Sequence, residues 1–216
     1  MKESVKKMKK MSNKGFTLIE LLAVITIMGI LMMVAIPAVT RTIENSRRDT
    51  FADIAGEYIN TVRSAVLADN IVCYESGAWR VASANPDGTY YFPICTSQST
   101  CSDVTTKSGA TSVLPKGDIQ QSTVDIMEKG GKSPFGNAEM RGYVKFVKKT
   151  TTVAATGDGV ASSKTSVTYS IVLVDSGKHG IASEKIDTEI TRGSVATDVS
   201  GELTNEPSGA IPCKMS

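Results

Sequence analysis

Apolar positions run from Phe16 to Val39, broken by Thr17, Glu20, Thr26 and the helix-disfavouring Gly29 and Pro37. As a helix this run is about 36 Å long at about 1.5 Å per residue, enough to cross a bilayer core. A helical spacing continues past it. Ile43, Arg47, Phe51, Ile54, Tyr58, Val62 and Val66 recur every three or four residues, with Ala55 and Ala65 beside them. Glu44, Arg48, Asp49, Asp53 and Arg63 lie on the other face. The pattern predicts an amphipathic helix to about Asn70 with one stripe for a core. Joined to the apolar run, it makes one element of about fifty residues.

Beyond residue 70 the period changes to two. Residues 78–84 (AWRVASA) and 89–94 (TYYFPI) flank the turn Asn85-Pro86-Asp87-Gly88. Residues 141–149 and 165–174 alternate or run apolar with β-branched and aromatic side chains, and Asp175-Ser176-Gly177 turns into a short strand at 178–182. The expectation is an antiparallel sheet of hairpins whose apolar face covers the Phe51–Val66 stripe, an α+β domain. Residues 118–129 read as a short helix, weakened by Gln120 to Thr123. The stretches 96–112, 150–166 and 191–210, rich in small polar residues, read as exposed loops.

Charge changes the picture at the N-terminus. Residues 1–15 hold six lysines against Glu3, a charge of +5, which leaves −3 for the rest of a chain whose net charge is +2. A mildly acidic body does not suggest nucleic-acid binding by the folded part. The apolar run exceeds the 7–15 residues of a removed secretory signal, and neither Met33-x-Ala35 nor Ile36-x-Ala38 offers a small-x-small site. No cysteine precedes Cys73, which excludes a lipoprotein signal. The lysines stay cytoplasmic and the C-terminal body lies outside. A plain signal anchor accounts for length and topology but not for Glu20, since an ionisable group costs on the order of 2.5–3.5 kcal/mol at mid-span.

Lys14-Gly15-Phe16-Thr17-Leu18-Ile19-Glu20, behind a charged leader and ahead of an apolar helix with Gly29 and Pro37, resembles a type IV pilin precursor. That family includes the type II secretion and competence pseudopilins. The strong motif covers residues 14–39. The resemblance implies the pilin fold, a long N-terminal helix on an antiparallel head. Its expected layout is a removed leader at 1–15, a membrane and filament-core helix at 16–39, the amphipathic half at 40–70 and an extracellular head at 71–216. It further implies that prepilin peptidase cuts between Gly15 and Phe16 and methylates the new amine on Phe16. Glycine before the scissile bond permits an extended backbone without a side-chain clash. Glu20 would be an unsatisfied charge in the lone subunit, paired in a filament with the freed amine of a neighbour. Pro37 removes the hydrogen bond to the Met33 carbonyl, so a bend is expected near 33–37, and Gly29 adds freedom. The segment between them either loosens in the fibre or is a kink with no mechanical role. Lys132 to Glu139 (KSPFGNAE) is also similar to a Pro-aromatic-Gly loop that precedes the sheet in many pilins.

Four cysteines on an exported domain favour disulfides, with three connectivities open. Cys95–Cys101 would staple a loop, and Cys73–Cys213 would tie the C-terminus to the end of the long helix. Zinc is the rival, but no CxxC pair is present. His179, the one histidine, sits in Ser-Gly-Lys-His-Gly and reads as an exposed hairpin residue. No phosphate-binding glycine loop or EF-hand appears, so neither enzyme activity, cofactor nor metal is expected. The implied function is a structural subunit, major or minor, of a surface filament for adhesion, motility or DNA uptake. It would sit in the membrane before assembly and in an extracellular pilus after it. Its partners would be itself and other pilins, the peptidase and the assembly machinery, with nucleic acid met only through the fibre. A pseudopilin, or an anchored binding domain that never polymerises, are the alternatives.

Overall fold

The computed structural model describes residues 16–75, 78–95, 132–136, 138–153, 162–199, 207 and 209–216. The helix α1 (Leu18–Leu67) is followed by seven strands: β1 (Ile71–Glu75), β2 (Ala78–Val81), β3 (Gly88–Cys95), β4 (Met140–Val153), β5 (Ser162–Asp175), β6 (Gly180–Ile186) and β7 (Ile211–Met215). The chain divides into two compact units, residues 1–44 and 45–216.

In the first unit α1 continues through Gly29 and Pro37, and every side chain from Phe16 to Ile43 is exposed. Its threonines return their hydroxyls to the preceding turn: Thr26 donates to the Ala23 carbonyl at 2.8 Å and Thr40 to that of Ile36 at 2.9 Å. Polar groups are thereby satisfied within the helix, as an apolar surrounding requires. α1 is long and apolar enough to cross a membrane.

In the second unit Phe51, Ala52, Ala55, Tyr58, Ile59, Val62 and Ala65 of α1 are buried. Their partners include Phe92, Val144, Ile171 and Leu173 from the middle of the sheet. The stripe begins later than its periodicity predicts: Ile43 and Arg47 are exposed, and Ile59 is fully buried. The sheet runs β2-β1-β7-β3-β4-β5-β6. All neighbouring pairs are antiparallel except β3–β7, where Tyr90 aligns with Ile211 and Tyr91 with Pro212 in parallel. This is an α+β arrangement consistent with the pilin fold.

The structure departs from the expected elements at four places. Residues 78–84 and 89–94 do not form a hairpin: β2 pairs with β1, and β3 with β4 and β7. A 3₁₀ turn (Ala82–Ala84) and the Asn85–Gly88 segment carry the chain from one pair to the next. Asp87 accepts the Thr150 amide at 2.6 Å and its hydroxyl at 2.8 Å, which fastens that crossing to β4. The 150–166 stretch is also not all loop, since β4 and β5 stay paired out to Val153 opposite Ser162. Threonine is β-branched and favours strands, while a ribbon wetted on both faces needs no apolar alternation. Likewise 191–210 contains a 3₁₀ turn at Arg192–Ser194 and the buried Val195 and Val199. The strand expected at 178–182 runs instead over Gly180–Ile186. The helix expected at 118–129 and the loop at 96–112 lie outside the described residues.

Gly142 shows how closely the strands meet. A Cβ there would sit 2.0 Å from the carbonyl oxygen of Val172.

Candidate assembly site

The helix start is built by Thr17-x-x-Glu20. The Glu20 Oε2 oxygen accepts the Thr17 backbone N–H and the Thr17 hydroxyl, each at 2.8 Å, and the Glu20 amide donates back to Thr17 Oγ1 at 3.3 Å. This is a capping box: two orphan donors at the helix N-terminus are satisfied reciprocally. The carboxylate also sits where the helix dipole favours negative charge. These bonds come from neutral groups, so they cap the helix without supplying a countercharge to the carboxylate. Thr17 already holds one oxygen, and among the described residues Oε1 accepts nothing. Phe16, immediately before the cap, is 90% exposed. Gly15 and the lysine leader lie outside the described residues.

The cysteine reading divides. Cys73 and Cys213 are joined in a disulfide that closes β1 onto β7, where the two residues are register partners. The Cys95–Cys101 pairing lies outside the described residues. Among the described residues no cluster of metal-ligating side chains occurs.

His179 is not an exposed hairpin residue. Its ring stacks on Phe135 with centroids 4.3 Å apart, and Phe135 lies 6.3 Å from Phe51 of α1. The buried Asp175 carboxylate accepts the Ser133 hydroxyl at 2.6 Å and the His179 backbone N–H at 2.7 Å, with His179 Nδ1 3.2 Å from both its oxygens. The carboxylate stands between hydroxyl and imidazole, so Ser133 has no base aligned on it in the manner of a hydrolase triad. What the cluster does is latch the Pro134-Phe135-Gly136 loop to the β5–β6 turn. Sequence spacing gave no hint of it, because Ser133 and Asp175 meet only through the sheet.

On the head, Arg192 forks onto Asp49 with contacts of 2.7 and 2.5 Å. These hydrogen bonds hold the Asp49 carboxyl below its ordinary range and raise Arg192. Asp87 is held low by its bonds to Thr150. Burial, with Glu57 adding a smaller push, raises the Tyr58 phenol to about 12.

Residues 10–36 match the model of the prokaryotic N-terminal methylation motif. No curated protein and no solved structure matches the chain. The motif, joined to an apolar membrane-length helix, marks a type IV pilin-like or pseudopilin precursor anchored in a membrane.

Proposed function

We propose that this chain is the precursor of a filament subunit, cut between Gly15 and Phe16 by prepilin peptidase, N-methylated on Phe16 and polymerised into a surface pilus. The observation that carries the reading is the methylation motif at residues 10–36, which runs into a helix whose apolar side chains from Leu18 to Ile43 are all exposed in the single chain. Large exposed apolar surfaces mark membrane or protein contacts, and a filament core supplies the second after the membrane has supplied the first.

Glu20 has a specific task in this account. With Oε2 engaged by Thr17, Oε1 is the oxygen that takes the amine of a neighbouring Phe16. The peptidase creates that amine, so a subunit with its leader cannot make the contact. Gly29 and Pro37 supply the positions at which the helix yields when it packs. The head forms the shell and supplies the adhesive, motile or DNA-capturing surface.

The reading is tested by shearing cells and sedimenting the released material. Filaments containing this chain, lost when its gene is deleted, support it. Export without any sedimentable polymer contradicts it.

A further inference from the structure

Two like-charged pairs stand exposed on the 45–216 unit. Asp49, Asp53 and Glu57 follow one another at four-residue intervals on α1, so they share a helix face. Asp49 is neutralised by Arg192, and Asp187 across the groove by Arg63. Asp53 and Glu57 between them are exposed, and no ion pair among the described residues reaches either. Like charges four apart on a helix repel. They border an open groove of about 650 Å³ whose lining also includes Ala52, Gly56, Asn60 and Asp187. A Cβ on Gly56 would meet nothing within 4 Å, so the subunit's own packing does not require a glycine that weakens the helix. A small floor instead lets another backbone approach.

The second pair lies on the β4–β5 ribbon. β3 stops pairing with β4 at Lys148, and β6 pairs with β5 only from Ser170 onward. Lys149–Val153 and Ser162–Ser166 therefore extend as two strands past their neighbours, and Lys149 to Thr152 and Ser162 to Ser166 are exposed. Lys149 is opposite Ser166 and Lys164 opposite Thr151, which sets both lysines diagonally on one face. Their Cβ separation is about 7 Å, against about 6 Å for Asp53 and Glu57.

We propose that the Lys149–Lys164 face of one copy docks on the Asp53–Glu57 groove of a second copy. Each pair relieves the repulsion of the other at matching spacing. Groove and ribbon are different patches of one unit, so the contact is heterologous, and repeated without closure it builds an open helical array. The inference rests on the filament reading and names a head-to-head contact within it.

The test uses full-length protein in cells, with sheared filament yield as the readout. Asp53→Lys with Glu57→Lys, and separately Lys149→Glu with Lys164→Glu, each cut yield at least tenfold, and all four changes together restore at least a third of it. Zero-length carbodiimide coupling of wild-type filaments, followed by peptide mass spectrometry of the covalent dimer band, joins Lys149 or Lys164 to Asp53 or Glu57. Wild-type yield from either reversed pair, no recovery in the combination, or dimer cross-links that join only other residues would overturn the contact while leaving the filament reading intact. Absence of polymer from the wild type overturns both.

Discussion

A single oxygen of Glu20 receives two hydrogen bonds from Thr17, one from its amide and one from its hydroxyl, each 2.8 Å long. The acid in the apolar run is thus a helix cap, and under the proposed function its second oxygen takes the amine of a neighbouring subunit. Glu20→Ala is expected to leave cleavage and methylation intact while sheared filament yield falls more than tenfold. Immunoblots of whole cells and of the sheared fraction measure the two steps separately.

The Cys73–Cys213 disulfide closes a loop of 140 residues in sequence. A cross-link over such a loop is worth about 4–5 kcal/mol by chain entropy. Replacing both cysteines with alanine should lower the unfolding free energy in urea by on the order of 4 kcal/mol. A value near zero would show that β7 holds its place without the bridge.

Asp175 latches the Pro-Phe-Gly loop through Ser133 and His179. Asp175→Ala orphans two donors in a buried site, at about 1–3 kcal/mol each. Destabilisation in the range of about 2–5 kcal/mol is expected, with faster proteolysis at residues 132–139. His179→Phe, which keeps the stacking on Phe135, should cost less.

Tyr58 gives the head an alkaline limit. Its phenol ionises at about 12 when folded but near 10 in an unfolded chain. The raised value means full stability below about pH 10, lost as pH climbs toward 12, by on the order of 2 kcal/mol. Tyr58→Phe should flatten this slope in denaturation midpoints measured from pH 9 to 12. Asp49 and Asp87 act at the other end: their lowered values mean stability that is present above the ordinary carboxylate range and lost as pH falls through it.

The long helix and the middle strands were legible because burial on one face stamps a period on the sequence. Phe51 to Val62 repeat with the helix, and Tyr90, Phe92 and Ile94 with the strand. β1 and β7 were missed because their pairing is set by residues about 140 positions apart and by a bridge no local pattern reveals. β7 also carries Pro212, a residue that argues against a central strand. At the candidate site Glu20 stood out by its cost in lipid. Thr17 could have been read as its partner from the Thr-x-x-Glu spacing alone. The stacking of His179 had no such signal, since a glycine-rich turn announces a chain reversal and not the Phe135 ring against it.

Peptide mass spectrometry of the N-terminus of exported protein tests the central claim most directly. Proteolytic exposure of the Phe16 amine beside a pre-capped Glu20 requires a first residue of Phe16 carrying one added methyl group. An exported chain that still begins at Met1, with its lysines attached, would contradict it.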